Sequence, residues 1–135
     1  MSASPNRRTG SPLPKKLGIK PGHRVLLQGA PDGFALDVPD GATVRTRASG
    51  EADVILAFHT RRAELARKLP ALRERMDKAA GLWIAWPKRA AKVETDLTED
   101  VVRELALANA LVDNKVCAID ETWSGLRLVI RLRDR

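Results

Sequence analysis

The segment from Leu17 to Pro31 constrains the fold of this chain more than any other part of its sequence. A turn at Pro21-Gly22 leads directly into the apolar run Val25-Leu26-Leu27. A short, uninterrupted apolar run of this kind is typical of a parallel strand that is buried on both faces. The run ends in a loop from Gly29 to Gly33. The segment therefore predicts the first strand of a mainly parallel sheet, followed by a loop at the edge where open α/β sheets bind ligands.

Further strands are predicted from other apolar runs. Residues 53–58 and 82–86 are each predicted as a buried strand, and residues 42–47 alternate in the manner of a half-exposed edge strand. Near the end of the chain, a turn at 121–125 joins strands at 116–120 and 126–132, and such a turn makes the pair an antiparallel hairpin.

Two amphipathic helices are predicted between these strands. The first carries a stripe of leucines, begins at a cap on Thr60 and ends at Gly81, with Pro70 kinking or splitting it. The second begins in an acidic turn, which suits the positive end of a helix dipole. Its candidate ends are Asp96 or Thr98 and Asn114 or Lys115.

The alternation of strands and helices predicts an α/β fold. We expect one Rossmann-like domain over residues 17–135, with a mostly parallel sheet, helices on its faces and a C-terminal antiparallel hairpin. The connection at 48–52 is too short for a parallel crossover with a helix. The strand at 42–47 is therefore either antiparallel to its neighbours or very short.

The positive charge of the chain is concentrated at its start. The net charge is +7, and residues 1–20 contain five basic residues and no acidic one. Residues 1–16 have almost no apolar content, which predicts a disordered basic tail. Such a tail either keeps the protein in solution or contacts the phosphates of a nucleic acid.

Cysteine content and hydropathy indicate a cytoplasmic protein. The single cysteine, Cys117, excludes an intramolecular disulfide and fits a reducing compartment. It lies in an apolar run and is interpreted as a core residue. No segment approaches the roughly 20 apolar residues that span a membrane, so no membrane partner is expected.

The chain resembles a class I S-adenosylmethionine (SAM) methyltransferase whose first half is trimmed. The stretch Leu17–Gly29 is similar to that superfamily's "L-x-x-x-P-G-x-x-V-L-x-x-G", and Asp53–Phe58 to its "D-x-V" strand. Within that shape it more closely resembles a family of short, uncharacterised bacterial proteins, to which no reaction is assigned. The features that carry this second resemblance are Leu17–Arg24, Gly29–Phe34, Ala85–Lys88, Asp96–Arg103 and Asp113–Arg127.

Two departures from the superfamily pattern argue against its usual mode of cofactor binding. The superfamily's first loop reads acid-x-Gly-x-Gly-x-Gly, whereas this chain has Gln28-Gly29-Ala30-Pro31-Asp32-Gly33, with Gly29 as the matched glycine. The acid that would hold the ribose hydroxyls belongs at the end of the second strand, where Arg45, Thr46 and Arg47 stand and Glu51 is the nearest carboxylate. SAM is therefore disfavoured, and the cofactor stays unknown. Arg47 at that position would suit a phosphate.

Candidate ligand-binding residues gather at the predicted carboxyl ends of the strands. The ligand candidates are Gly29, Asp32, Gly33, His59, Trp86 and Lys88, and the anion candidates are Arg47, Arg61 and Arg89. The competing interpretations are core packing for Trp86, a plain turn for Asp32-Gly33 and a solvated loop for Lys88-Arg89. No metal site is expected, because the two histidines, His23 and His59, fall at opposite ends of the strands. No catalytic residue is assigned.

These observations leave three functional hypotheses. The first is a non-catalytic Rossmann-like module that binds a small anionic ligand or a protein partner at the carboxyl edge of the sheet. The second is a minimal SAM-dependent methyltransferase. The third is a nucleic-acid-binding protein that uses residues 1–16 and the arginine-rich helix at 61–75. Whether the protein is an enzyme stays open, although the preferred first hypothesis is non-catalytic.

Overall fold

A computed structural model describes residues 12–47 and 50–135, which contain one six-stranded sheet. Its strands are β1 (Arg24–Gln28), β2 (Thr43–Arg45), β3 (Ala52–Phe58), β4 (Met76–Pro87), β5 (Leu111–Ala118) and β6 (Trp123–Ile130). They lie in the order β2-β1-β3-β4-β6-β5. The first four strands are parallel, and β6 runs antiparallel to both β4 and β5. The predicted α/β sheet, mostly parallel with a C-terminal antiparallel hairpin, is confirmed.

The two faces of the sheet are covered unequally. The helices α2 (Arg62–Glu74) and α3 (Glu99–Ala108) both pack on one side, which we call the front face. The other side, the back face, is covered by the five-residue helix α1 (Leu13–Leu17) and by the loop between β1 and β2. The indole Nε1 of the fully buried Trp83 donates to the carbonyl of Leu17 at 3.0 Å, which ties α1 to β4.

The central strands alternate their side chains between two separate cores. In β3, Ile55 and Ala57 face the front core, whereas Leu56 and Phe58 face the back core. All four are almost completely buried, as expected for a parallel strand that is covered on both sides. Because both faces of a central strand are buried, its sequence is a continuous apolar run, and this pattern allowed the central strands to be predicted.

The strand at 42–47 is short and parallel to β1, which settles the alternative that the sequence left open. Its paired part is Thr43–Arg45, and the chain reaches β3 within residues 46–51. The guanidinium of Arg45 donates to the carbonyls of Gly50 and Glu51 at 3.2 and 2.7 Å. These bonds hold the short connection against the end of β2.

The predicted ends of the first long helix are wrong. The helix ends at Glu74, and the segment to Gly81 belongs to β4, because the backbone beyond the helix pairs with β3: Ala52 N donates to Arg75 O at 2.8 Å. At the start, Thr60 is not the cap. The N-cap residue is Arg61, and its side chain makes no capping bond.

The second helix is also shorter than predicted. It begins at a Thr98 cap, whose hydroxyl accepts from Val101 N at 3.2 Å, and it ends at Ala108 rather than at Asn114 or Lys115. Ala110 has a φ of 61°, and this left-handed residue turns the chain into β5. The hairpin strands accordingly lie earlier, at Leu111–Ala118 and Trp123–Ile130.

The start of the folded domain needs a further correction. Residues 1–16 were predicted as a disordered tail, but Leu13–Leu17 form a helix and Leu13 is buried. The remainder of the predicted tail, residues 1–11, lies outside the described residues. Among the described residues, no helix combines the length and the apolar character that crossing a membrane requires.

Candidate functional site

The carboxyl ends of β1 to β4 meet at one edge of the sheet, as the parallel order requires. Gly29 follows β1, Thr46 follows β2, His59 follows β3 and Lys88 follows β4. Between the first two strand ends lies a cavity of about 360 Å³. Its lining residues are Leu27, Gln28, Gly29, Ala30, Thr46 and Lys68.

The polarity of this cavity comes from a few groups. Lys68, which α2 brings in from the front face, is the one charged side chain among the lining residues. The amide of Gln28 and the hydroxyl of Thr46 add neutral hydrogen-bonding groups. Since none of the described lining residues is a carboxylate, the site favours a negatively charged ligand group over a cation or a ribose diol.

The loop beyond Ala30 packs onto the back face through Phe34. Phe34 packs edge-to-face on Phe58, with ring centroids 5.0 Å apart, and Trp123 packs on the other side of Phe58 at the same separation. A backbone bond from Phe34 N to Pro31 O, 3.1 Å long, closes the turn that carries Asp32 and Gly33, and both of these residues are exposed.

His59 lies beside this loop but in a buried environment. Its Nδ1 is 2.9 Å from Glu64 Oε1 on α2, and this hydrogen bond lowers the pKa of Glu64. Because the ionised Glu64 carboxylate only accepts, Nδ1 carries the proton. The other ring nitrogen, Nε2, is buried and has no hydrogen-bond partner in the described part of the chain. The pair is oriented like an acid–base dyad, yet neither residue lines the cavity.

The other predicted site residues are spread along the edge. Trp86 is buried in the front core. Lys88 is half-buried, and its backbone nitrogen donates to Thr122 O at 2.8 Å. The three anion candidates, Arg47, Arg61 and Arg89, are exposed. Of the predicted set, only Gly29 lines the cavity.

Sequence reasoning missed Lys68 and Thr46 as cavity residues. Lys68 is one of several basic residues off the apolar stripe of α2, and only the packing of α2 on the sheet selects it. Thr46 was considered only as one of the residues at the end of the second strand, where the superfamily has the acid that binds the ribose hydroxyls. Across residues 12–47 and 50–135, no group of three His, Cys, Asp or Glu side chains is arranged to hold a metal ion.

The residues at this edge do not fit SAM in the superfamily's usual manner. Thr46 and the exposed Arg47 stand where the ribose-binding acid is expected, and Pro31 removes a backbone donor from the first loop. The aromatic contact between Phe34 and Phe58 fixes that loop against the sheet.

Comparison with solved structures identifies the fold. The chain is similar to a SAM-dependent methyltransferase from Aquifex aeolicus, with a TM-score of 0.65, 18% identity and 87% of each chain covered. It is similar to the fibrillarin pre-rRNA processing protein of Methanococcus jannaschii, with a TM-score of 0.59, 15% identity, and 88% of this chain and 73% of that one covered. At these identities the likeness establishes a class I methyltransferase-like fold.

Other matches extend well beyond this chain. In magnesium protoporphyrin IX methyltransferase from Synechocystis PCC 6803, solved with bound SAH, 67% of this chain matches at a TM-score of 0.51 and 15% identity. The chain spans about half the length of that protein, 51%. No protein-family model matches the sequence, and no curated protein matches it.

Proposed function

We propose that this methyltransferase-like domain is a non-catalytic module that binds a small anionic ligand in the cavity between the ends of β1 and β2. The observation that carries the proposal is the lining: Lys68 is its single charged group, and Thr46 and Gln28 supply neutral partners. A cavity of about 360 Å³ falls within the usual size range for small-molecule sites.

The scarcity of acid–base groups in the cavity supports a binding role over catalysis. General acid–base catalysis uses positioned titratable groups such as His, Glu, Asp or Lys, and among the described lining residues Lys68 is one such group, with no titratable partner beside it in the lining. His59 and Glu64 are hydrogen-bonded to each other, and neither residue lines the cavity.

A thermal-shift screen followed by calorimetry tests the proposal. The panel contains nucleotides, acyl-CoA, SAM and SAH. A ligand at 100 times its Kd stabilises the fold by about 2.7 kcal/mol, which raises the Tm by several degrees. We expect an anionic member of the panel to raise the Tm of the wild type. Lys68→Gln should weaken that ligand's binding about tenfold or more.

Arg67→Gln is the matched control. Arg67 is exposed on the same helix, outside the lining, and its replacement removes the same charge. Its affinity for the ligand should equal that of the wild type. Equal losses in the two variants, or no stabilisation by any anionic ligand, would contradict the proposal.

A minimal SAM-dependent methyltransferase is the second candidate. It is favoured by the solved structures of this fold, among them one described with bound SAH and one described with bound SAM. The discriminating result is calorimetric: saturable heat with SAM or SAH that Lys68→Gln leaves unchanged would select this candidate and reject the anion site.

A further inference from the structure

The back face of the sheet has a surface that neither the cavity nor the fold comparison explains. Beyond α1, no helix of the described residues packs on the part of this face formed by β5 and β6. Its central residue is Arg127 of β6, which pairs in register with Trp83 of β4 and with Lys115 of β5. Directly paired side chains share a face of an antiparallel sheet, so both cations lie on the side of Trp83.

The Arg127 side chain lies flat on the backbone of β4. A Cβ atom added to Gly81 would be 2.5 Å from Arg127 Nε and 2.9 Å from its Nη2, so the guanidinium occupies the space that a side chain at Gly81 would fill. Gly81 therefore leaves room on β4 for the Arg127 side chain. This contact holds the guanidinium against the sheet rather than in open solvent.

Arg127 is half-buried, and among residues 12–47 and 50–135 no carboxylate forms an ion pair with it. Burial and the neighbouring guanidinium of Arg135 both lower the pKa of Arg127, and within the described part of the chain no carboxylate offsets them. The nearby acids of β5 and the C-terminal turn are engaged elsewhere: Asp113 pairs with Arg103 at 3.2 Å, and Asp134 lies 3.8 Å from Arg131. The positive charge of Arg127 is therefore free to pair with an external anion.

Two further cations adjoin this surface. Lys115 pairs in register with Arg127, and Lys16 belongs to α1, whose Leu17 carbonyl accepts from the Trp83 indole on this face. In agreement with this placement, burial raises the pKa of the Cys117 thiol on β5, and the positive charges of Lys16 and Lys115 act against that rise. We define the back-face cluster as Lys16, Lys115, Arg127 and Arg135.

We propose that the back-face cluster binds the phosphate backbone of a nucleic acid. Four cations spread over a helix, two strands and the C-terminus match an extended polyanion better than a single small anion. The proposed surface differs from the arginine-rich helix α2, which lies on the front face.

Fluorescence anisotropy with the full chain and a labelled single-stranded oligonucleotide tests this surface. The wild type should bind with an affinity that falls steeply as salt rises. Lys16→Gln/Lys115→Gln should weaken binding about tenfold at low salt and reduce the salt slope by about 1 for each lost contact. Both residues reach solvent, so the double variant should remain folded.

A second pair of variants separates charge from structure at Arg127. Arg127→Gln removes the charge and should weaken binding, whereas Arg127→Lys keeps it and should retain most of the affinity. If Arg127→Gln unfolds, the lysine double variant still decides the outcome.

Arg62→Gln/Arg67→Gln is the matched control on α2. Both arginines are exposed on the front face, and the double variant removes the same two charges. We expect its affinity to stay within about twofold of the wild type. The proposal is overturned if both double variants lose affinity equally, if binding does not depend on salt, or if the protein binds phosphatidylserine vesicles but no oligonucleotide.

Discussion

At the scale of single residues, Gly29 shows how a residue that matches a ligand-binding motif is required for packing. Its φ is 68°, a conformation that residues with side chains rarely adopt, and a Cβ atom there would lie 2.8 Å from the carbonyl oxygen of Phe58. The glycine that carries the resemblance to the methyltransferase pattern is therefore required by the approach of β1 to β3. This requirement holds whether or not a ligand occupies the edge of the sheet.

Replacing Gly29 tests this reason. Gly29→Ala should lower the free energy of unfolding by about 2–4 kcal/mol, because it combines an unfavourable φ with a backbone collision. Urea denaturation gives the value. The control is Gly33→Ala. Gly33 also has a positive φ, 83°, but no atom lies within 4 Å of a Cβ added there, so this variant should lower the free energy of unfolding by about 1–2 kcal/mol. Equal losses in the two variants would show that the contact with Phe58 is unimportant.

At the scale of elements, the start of α2 depends on a residue from another part of the chain. Arg62 N, the first backbone donor of α2, gives its hydrogen bond to Asp96 Oδ1 at 2.6 Å. The same loop adds a bond of 2.6 Å from the Thr95 hydroxyl to Thr60 O. The loop before α3 therefore caps α2, and the two front-face helices are joined at this point.

This cap gives a prediction about stability. Asp96→Ala should reduce the free energy of unfolding by about 1 kcal/mol, because it leaves a helix-end donor without its acceptor and removes a negative charge from the positive end of the dipole. Asp96→Asn, which keeps an acceptor, should lose less. Thermal denaturation of both variants beside the wild type measures the difference, and an unchanged Asp96→Ala would reject the capping role.

The cap also shows what the sequence was able to predict about elements. Asp96 was recognised as a capping residue, but local spacing assigned it to the helix that follows rather than to α2, 34 positions earlier. The strands β1 and β3 were predicted nearly to the residue because their apolar runs are continuous. Helix ends were predicted poorly, because at Arg75 and Ala110 the backbone turns to pair with β3 or to enter β5. Those pairings are long-range and leave no local signal.

At the scale of the whole molecule, an ion pair links the first strand to the third and gives stability a pH dependence. Arg24 binds Asp53 through both its backbone nitrogen, at 2.7 Å, and its guanidinium, at 3.0 and 3.1 Å. The hydrogen bond from Arg24 is the main cause that lowers the pKa of Asp53 below its usual value.

The lowered pKa of Asp53 determines how stability changes with pH. A carboxyl group whose pKa is lower in the folded state stabilises the fold above its unfolded pKa, near 4. The stabilisation by the Asp53 carboxylate is lost as the pH falls through its pKa in the folded protein. We expect Asp53→Asn to be less stable than the wild type at neutral pH and to lose less stability on acidification. Denaturant midpoints measured from neutral pH down to about pH 3 test this, and parallel curves for the two proteins would contradict it.

The molecule's architecture was more predictable than its candidate site. The order of apolar runs and turns was enough to predict an α/β sheet with a final hairpin. The cavity depends on which of the basic residues of α2 projects over the end of β1, and that choice follows from packing. The back-face cluster depends on strand pairing: the register places Arg127 beside Trp83 and Lys115, and the bond from Trp83 to Leu17 brings α1, which carries Lys16, to the same face.

The unequal covering of the sheet has a consequence for how the molecule opens. On the back face, α1 is only five residues long, and it covers the fully buried indole of Trp83 through the bond to Leu17. Short elements with few contacts detach in sub-global openings that cost far less than complete unfolding. Amide hydrogens of α1 should therefore exchange with solvent faster than those of β3 and β4. Each such opening should uncover Trp83. In a variant with Trp86→Phe and Trp123→Phe, quenching of the remaining tryptophan fluorescence therefore reports the loosest part of a sheet whose centre stays closed.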